Sequence, residues 1–244
     1  MRRFFTSCQN IKQDKISIED KSEIHHIKDV LRLTEGEEVN IFDDKGNEYR
    51  AQIESVSTEN IMLRIKQKSA SRGFSKIRIA VACAIPKKAK MDDIVDKLTQ
   101  LGVDRIIPIN TERVIIKLDK HKASLRHERW QKIAINASKQ SQRNIVPVID
   151  QVKEFKDILR ESGNFDLKLI PALIGERKTL REVFKNCRPK SILILIGPEG
   201  DFTEAEVSSA KNRGFIPVSL GELVLRVDTA AIAVAAFLKF YENH

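Results

Sequence analysis

The sequence predicts an α/β protein whose main sheet is parallel and covered by helices, preceded by a small β-rich domain. From Lys76 onward, short runs that are apolar at nearly every position alternate with amphipathic stretches of helical period. Strands of this kind belong to parallel sheets buried on both faces. Before Lys76, VNIFDDKGNEYRAQIESV and NIMLRIKQK carry β-branched runs joined by a turn at residues 43–47, which is typical of paired short strands.

Two domains follow from this change of pattern. In the first, one short helix is expected near Glu23 to Leu31. The polar stretch KQKSASRGFSK interrupts all periodicity and is the best candidate for a linker. We place the boundary near Ser71, which gives domains at residues 1–71 and 72–244.

The second domain alternates strands and helices along its length. A strand in KIRIAVACAI is followed by a helix in MDDIVDKLTQLGV that ends at Gly102. Strands in RIIPI and RVIIKL precede a long helix through RHERWQKIAINASKQS, whose apolar residues form a single stripe. The remaining predicted elements are a helix in EFKDILRES, a strand in DLKLIPALI, a helix in TLREVFKN, a strand in SILILIG, a helix in TEAEVSSAKNR, a strand in FIPVSL and a last helix.

The last helix, DTAAIAVAAFLKFY, is apolar nearly all the way round. A surface helix cannot have this composition. We expect it to be buried in the core, in a subunit interface, or in both.

Composition narrows the class of protein. Forty-three Lys and Arg against 34 Asp and Glu give a net charge of +9, which favours polyanionic partners such as nucleic acid. The three cysteines, Cys8, Cys83 and Cys187, form no CxxC pair, so neither a disulfide framework nor a zinc knuckle is expected. No apolar run is long enough for a signal peptide or membrane span, and we expect a reducing cytoplasm.

The segment SILILIGPEGDFTEAEVSSAKNRGF is the most informative one. A buried strand, Ile192 to Ile196, leads into a loop at 197–200, and Thr203 and Glu206 have the spacing of a capping box. Two glycines beside a proline let the main chain turn sharply and approach a ligand at the carboxyl end of a parallel strand. An ordinary tight turn between strand and helix is the alternative.

A second loop of the same kind follows the strand FIPVSL. It runs from Gly221 to Arg226 and leads into the last helix. Two neighbouring glycine-bearing loops could hold a purine and its ribose with main-chain groups, with Leu220, Leu223 or Leu225 as apolar walls.

These two segments carry a resemblance to a known family. IGPEGDFTEAE and LGELVLRVDTA look like the paired cofactor motifs of the SPOUT methyltransferases, most closely the family called ribosomal RNA small subunit methyltransferase E. RRFF and HHIKDVLRLTEGEEVNIFDDKGNEYRAQI are similar to the PUA-like RNA-binding domain of that family. KMDDIVDKLTQLGV and RWQKIAINASKQSQRNIVPVI resemble its catalytic domain.

The resemblance implies a small PUA-like β-barrel followed by a SPOUT domain with a C-terminal trefoil knot that holds S-adenosylmethionine. It also implies a homodimer and methylation of N3 of one uridine in 16S ribosomal RNA, free or in the small ribosomal subunit. The residues it suggests for the cofactor are Leu173, Ile196, Gly197, Pro198, Glu199, Gly200, Leu220, Gly221, Leu223, Leu225 and Thr229. Those suggested for RNA are Arg3, His26, Arg32, Lys88, Gln140, Ser141 and Arg143.

Two residues are candidates for catalysis. Arg226 could orient the base or stabilise a developing uracil anion, or it could be a surface arginine paired with Asp228. Glu199 could accept a proton, or it could fix the cofactor loop by accepting hydrogen bonds from main-chain amides. No general base is identified. His25 and His26 are successive helix residues that point in different directions, and no carboxylate cluster or cysteine accompanies them, so no metal is expected.

The chain departs from the family pattern at three positions. Asp201 stands where a third glycine is usual, Lys139 where an acidic residue is common, and Asp228 where Glu is frequent. The charge of Asp201 can change how its loop approaches the cofactor. Lys139 cannot fill a role that needs a carboxylate at that position.

Other classes of function are weaker. A Rossmann enzyme would need a GxG after an early strand, and no GxG occurs. A non-catalytic RNA-binding module of KH type would place its GxxG loop between two helices rather than after a strand. The same fold acting on another RNA stays open.

Overall fold

The computed structural model describes residues 2–69, 77–87, 90–114, 119–173, 175–185 and 187–242. By its contacts the chain forms two compact units. The first contains Met1–Phe74 and Ser138–Val146, and the second contains Ser75–Ala137 and Pro147–His244. The sequence prediction assigned residues 138–146 to the second domain. The predicted boundary at Ser71 lies outside the described residues.

The first unit is built on a six-stranded sheet of order β1-β4-β5-β6-β3-β2. Among the described residues of this sheet, β1 and β4 pair in parallel and the other neighbouring strands pair antiparallel. In the described residues the pairing runs from β1 to β2, and closure into a barrel stays a prediction. The strands are β1 (Arg3–Thr6), β2 (Ile11–Lys12), β3 (Lys15–Ile18), β4 (Glu38–Asp43), β5 (Glu48–Val56) and β6 (Ile61–Ser69).

One face of this sheet is the core of the unit. Phe4, Ile41, Ala51 and Leu63 are buried on it, whereas Arg50, next to Ala51 on β5, is exposed. The strand β6 continues to Ser69 because it pairs with β5 as far as Glu48. The predicted linker therefore begins later than its polar composition suggested.

The short helix predicted near Glu23 to Leu31 is present in this unit. Helix α1 (Lys21–His25) begins after Asp20, whose Oδ1 accepts hydrogen bonds from the amides of Ser22 at 2.9 Å and Glu23 at 3.1 Å. A π-helical turn, His26–Val30, follows directly.

The second unit contains an eight-stranded parallel sheet, which confirms the predicted α/β class. Seven strands have the order β10-β8-β7-β13-β11-β14-β12, and β9 pairs with β8. All six residues of β13 are buried, as expected for a central strand covered on both faces. The strands are β7 (Arg78–Ala84), β8 (Arg105–Asn110), β9 (Val148–Ile149), β10 (Lys153–Glu154), β11 (Leu167–Pro171), β12 (Lys178–Thr179), β13 (Ser191–Ile196) and β14 (Ile216–Ser219). Of the predicted strand RVIIKL, residues 115–118 lie outside the described residues.

Helices connect these strands, and one of them ends in the first unit. Helix α3 runs to Gln140, and its last three residues group with the first unit. The helices are α2 (Lys90–Gln100), α3 (Lys120–Gln140), α4 (Phe155–Glu161), α5 (Leu180–Phe184), α6 (Glu204–Asn212) and α7 (Val227–Glu242).

The last helix, α7, is buried on one side only. Val227, Ala231, Val234 and Leu238 are buried, and the helix packs on α2, β7 and β13. Phe240 is 66% exposed on the other side. One side of the helix therefore lies in the core, as expected. The second apolar side has no covering element among the described residues, and its burial in a subunit interface stays a prediction.

Among the described residues, no helix is both long and apolar enough to cross a membrane.

Candidate active site

A cleft lies at the carboxyl ends of β11, β13 and β14, where the two glycine-bearing loops meet. It encloses about 590 Å³ of empty space, part of it open to solvent. The strands β13 and β14 flank β11 in the sheet, so the loops that follow all three strands reach the same edge. The lining residues are Pro171, Ala172, Leu173, Arg177, Ile196, Gly197, Pro198, Glu199, Asp201, Val218, Leu220, Gly221, Leu223, Val224, Leu225, Val227 and Ala230.

The strand that leads into the first loop is held at its start. The Asp166 carboxylate accepts hydrogen bonds from the Ser191 hydroxyl at 3.0 Å and from the amides of Lys190 and Ser191, each at 2.9 Å. The Ser191 hydroxyl and these two amides hold the pKa of Asp166 below its ordinary value. The register of β13, and hence the point where Gly197 leaves the sheet, is fixed by this contact.

Gly197 packs against the ring of Phe202, which is 1% exposed. A Cβ at position 197 would lie 3.1 Å from both Cδ2 and Cε2 of that ring. No larger residue fits here without a shift of the ring, because such contacts are shorter than normal van der Waals separations. Gly200 is less confined: the nearest atom to its Cβ would be Cδ of Arg113 at 3.6 Å.

The helix after this loop begins as predicted. Thr203 and Glu206 form a capping box at the start of α6, with both reciprocal hydrogen bonds present. Phe202 and Val207 are both buried, and the helix start near Thr203 is confirmed.

Asp201 occupies a strained position for which glycine is the usual choice. Its φ is 59°, in the left-handed region that Asp tolerates better than most residues. Its Oδ2 accepts a hydrogen bond from the amide of Leu173 at 2.8 Å, and its Oδ1 accepts one from the amide of Phe202 at 2.8 Å. The carboxylate thus joins the loop after β11 to the loop after β13.

Glu199 makes a second tie of the same kind. Its Oε1 accepts a hydrogen bond from the amide of Lys87 at 3.1 Å, beyond the end of β7. This hydrogen bond is of the kind expected if Glu199 fixes the cofactor loop by accepting from main-chain amides. Because the residue also lines the cleft, its carboxylate adds negative charge there.

Cys83, at the end of β7, is not a candidate nucleophile. Burial, with smaller contributions from the charges of Glu199 and Asp228, raises the pKa of its thiol. A thiol of this kind stays protonated and unreactive near neutral pH.

The second loop is open and apolar. Gly221 has a φ of 119°, which favours glycine, and its amide donates to the hydroxyl of Ser219 at 3.2 Å. Leu223 and Val224 are 78% and 72% exposed. An apolar surface this open at the mouth of a cleft is typical of a binding site or a subunit contact.

Arg226 is exposed at the end of this loop. Its side chain makes no ion pair or hydrogen bond within the described chain, and Asp228 lies 3.6 Å from Nζ of Lys90 instead. The alternative in which Arg226 pairs with Asp228 is therefore wrong. Arg226 is not among the residues that line the cleft, although Leu225 and Val227 on either side of it are.

Most of the residues predicted for a cofactor come together in the cleft. Gly200 and Thr229 do not line it: the carbonyl of Gly200 accepts from Nη1 of Arg113 at 2.7 Å, and Thr229 is exposed on α7. Arg177 and Asp201 line the cleft but were not among the residues predicted from the sequence. For Asp201 the one signal was its departure from the family pattern, and Arg177 gave none. The other lining residues that sequence reasoning missed are Pro171, Ala172, Val218, Val224, Val227 and Ala230.

The residues predicted for RNA lie in the first unit, except Lys88, which lies outside the described residues. Arg3 donates from Nη1 to the carbonyls of Ser138 at 3.0 Å and Arg143 at 2.9 Å. His26 contacts the ring of Phe4 edge to face, with centroids 5.7 Å apart. Arg32 is exposed with a φ of 51°, and Gln140, Ser141 and Arg143 belong to the segment grouped with this unit.

No metal centre is found in the described ranges, since they contain no group of three His, Cys, Asp or Glu side chains able to hold one. The glycine-bearing loop at 197–200 follows β13 and precedes α6. A KH module has this loop between two helices, so the structure disfavours that class.

Comparisons with known proteins agree with this architecture. Residues 74–239 match the family model described as RNA methyltransferase domain, and residues 18–66 match the one described as RNA methyltransferase PUA domain. A ribosomal RNA small subunit methyltransferase E from Bacillus subtilis is 30% identical over 98% of this chain and 96% of the relative.

Two solved structures superpose on nearly the whole chain. A putative methyltransferase from Legionella pneumophila, in complex with bound cofactor SAM, has a TM-score of 0.89 at 31% identity and covers 98% of this chain and 97% of its own. A ribosomal RNA small subunit methyltransferase E from Neisseria gonorrhoeae, bound to S-adenosyl methionine, has a TM-score of 0.88 at 28% identity, with coverage of 99% and 98%.

We predict that Gly197→Ala destabilises the protein and that Gly200→Ala does not. The new methyl group at 197 must displace the buried Phe202 ring, at an expected cost of about 1–3 kcal/mol. The methyl group at 200 meets only ordinary contacts and should change the free energy of unfolding by less than about 0.5 kcal/mol. Urea unfolding followed by circular dichroism measures both, and equal stability of the two variants would contradict the packing at Gly197.

Proposed function

Because the chain belongs to the family of ribosomal RNA small subunit methyltransferase E, we propose that it methylates N3 of a uridine in small-subunit (16S) ribosomal RNA with S-adenosylmethionine as methyl donor. The single observation that carries this proposal is the cleft at the ends of β11, β13 and β14. Loops from three neighbouring strands contribute main-chain groups and leucine side chains to it, which suits an adenosyl group.

The composition of the cleft fits a cofactor that carries a positive charge. Leu173, Leu220 and Leu225 offer apolar walls, while the carboxylates of Glu199 and Asp201 lie in the lining. When bound, S-adenosylmethionine supplies an electrophilic methyl group on a cationic sulfur. The guanidinium of Arg177 also lines the cleft, so two carboxylates against one cation leave the lining net negative, which favours a cation over a neutral molecule of the same shape.

The acceptor requires positioning and the loss of a proton. Transfer to N3 forms a nitrogen–carbon bond, breaks the carbon–sulfur bond and releases the imide proton. Since N3 is engaged in a paired uridine, the base must be unpaired or flipped out to react. In this proposal Arg226, exposed and without an ion-pair partner in the described chain, stabilises the uracil anion that remains when the proton leaves.

The proposal includes a trefoil knot around the cofactor cleft. The strand order supports it: β13 lies between β7 and β11, β14 lies on the far side of β11, and the chain then returns as α7 to pack on β7 and β13. Because the chain passes from β13 to β14 on the far side of β11 and then back to β7 as α7, the loops after β11, β13 and β14 lie against one another.

The proposal also assigns a PUA-like RNA-binding domain to residues 1–71 and the methyltransferase domain to residues 72–244. The protein is proposed to act in the cytoplasm on ribosomal RNA or on the assembled small subunit. The free thiols of Cys8, Cys83 and Cys187 support a reducing compartment.

The activity is tested with small ribosomal subunits, or their purified RNA, from cells that lack this protein. Incubation with S-adenosylmethionine labelled in its methyl group should transfer label to uridine N3, located by nuclease digestion and mass spectrometry. Calorimetry should show that the protein binds the cofactor. If only another RNA were labelled, the proposed substrate would be wrong. If the protein did not bind the cofactor, a non-catalytic RNA-binding module would be the better interpretation.

We predict that Arg226→Ala retains cofactor binding and loses most of the methyl transfer. Removing a group that stabilises a developing anion typically lowers kcat by about 100-fold or more, while an exposed side chain outside the cleft lining contributes little to the cofactor. Arg213→Ala is the matched control, because Arg213 is also exposed and precedes β14 at the opposite end of that strand. Unchanged turnover of Arg226→Ala would remove this residue from the reaction.

We further propose a homodimer formed through the exposed apolar side of α7. Ala233, Ala236 and Phe240 follow one stripe of the helix, and Leu223 and Val224 add apolar surface just before it. We predict a particle of about twice 27.8 kDa by light scattering, and dissociation by Ala233→Arg, which places a charge on that stripe. Ser208→Arg, on the exposed side of α6, is the control; a wild-type monomer would refute the dimer.

A further inference from the structure

A row of polar side chains crosses the outer face of the sheet in the first unit. The strand register aligns Arg3 with Asn40, Asn40 with Arg50, and Arg50 with Gln67. Directly paired residues point to the same face of a sheet, so these four side chains form a continuous band across β1, β4, β5 and β6. Together with segment 138–146 of the same unit, the band borders a cleft of about 1130 Å³ of empty space, part of it open to solvent.

The wall opposite the band is held in place by the first unit itself. Arg3 donates to the carbonyls of Ser138 and Arg143, and the amide of Arg143 donates to the carbonyl of Ser138 at 3.0 Å. Lys139 forms an ion pair with the buried Glu23 of α1. The cleft is therefore preformed, and a ligand would not have to order it.

The cations around this cleft are already matched by carboxylates. Arg3 pairs with Glu48 at 3.2 Å, Arg50 pairs with Glu38 at 2.5 Å, and Lys139 pairs with Glu23. A phosphate would have to displace or compete with these carboxylates. The charges at this site therefore do not favour an anionic ligand.

Most of the uncommitted hydrogen-bonding groups of the cleft are carboxamides, and the hydroxyl of Ser69 lies beside them in the lining. Among the described residues, the side chains of Asn40, Gln67, Gln140 and Gln142 make no hydrogen bond to the protein, and all four line the cleft. A carboxamide presents one donor and one acceptor side by side, which matches the edges of nucleobases. Four such groups around one preformed cleft favour a neutral ligand with several donors and acceptors.

We propose that this cleft binds one unpaired nucleotide of the RNA substrate through its base. The inference rests on the proposed function for the identity of the ligand as RNA, and it adds a base-reading site in the first unit, separate from the cofactor cleft. Bases that protrude from single-stranded or looped RNA offer their hydrogen-bonding edges freely. The paired cations hold the walls of the cleft, and the carboxamides make the contacts to the base.

The test measures RNA affinity of the double variant Asn40→Leu/Gln67→Leu. The probe is a short fluorescein-labelled single-stranded RNA of mixed sequence. Its binding is measured by fluorescence anisotropy at two salt concentrations. We expect the Kd to rise about tenfold, as for loss of a good side-chain contact to a base. We expect the dependence of Kd on salt to stay that of the wild type, because no phosphate contact is removed.

Two matched controls separate base contacts from other effects. Gln9→Leu removes an exposed carboxamide of the same unit outside the cleft and should leave the Kd unchanged. An abasic strand of the same length should bind the double variant and the wild type equally. Thermal unfolding checks the fold, and Gln67→Leu alone, at an exposed strand position, serves if the double variant does not fold.

The outcomes distinguish this inference from the proposed function. An unchanged Kd for the double variant, or an equal loss of affinity for the abasic strand, overturns the base-reading site while cofactor binding and methyl transfer can stand. A weaker dependence on salt also overturns it, because it would indicate a phosphate contact. Absence of cofactor binding by the wild type instead overturns the methyltransferase proposal and leaves the measured RNA contact intact.

Discussion

The cofactor cleft depends on the complete burial of one strand. All six residues of β13 are buried between β7 and β11, and the Asp166 carboxylate holds the start of the strand by accepting two hydrogen bonds from Ser191 and one from the amide of Lys190. Because β13 pairs with a neighbouring strand on each side, the position of Gly197 after its last residue is fixed. The absence of a side chain at Gly197 permits contact with the ring of Phe202. If β13 slipped by one residue, its side chains would all change face, and the loop that it feeds would no longer meet its neighbours.

Carboxylate-to-amide hydrogen bonds join the loops that this strand brings together. Glu199 holds the amide of Lys87, and Asp201 holds the amide of Leu173, so the loop after β13 is tied to the chain after β7 and to the loop after β11. The carboxylate at 201 accounts for the departure from the family pattern. The backbone there is left-handed, and Asp offsets the strain by making two hydrogen bonds that glycine cannot make.

Local patterns predicted the architecture of the second unit and the start of α6. The buried strands were recognisable from their unbroken apolar runs, and the start of α6 from the spacing of Thr203 and Glu206. Contacts between distant segments were not predictable in this way. The grouping of residues 138–146 with the first unit depends on Arg3 and Glu23, and neither residue carries a local signal of its partner more than a hundred positions away. The extent of β6 was missed because its polar end is defined by pairing with β5.

The grouping of Ser138–Val146 with Met1–Phe74 has a consequence for how the polypeptide is made. When the amino-terminal strands leave the ribosome, the wall that covers Arg3 has not yet been translated. The amino-terminal unit cannot reach its final form until the chain has been extended through Val146, by which time β7 and β8 have also emerged. An excised fragment that ends at Phe74 would leave Glu23 without Lys139, and Arg3 would keep Glu48 but lose the carbonyls of Ser138 and Arg143.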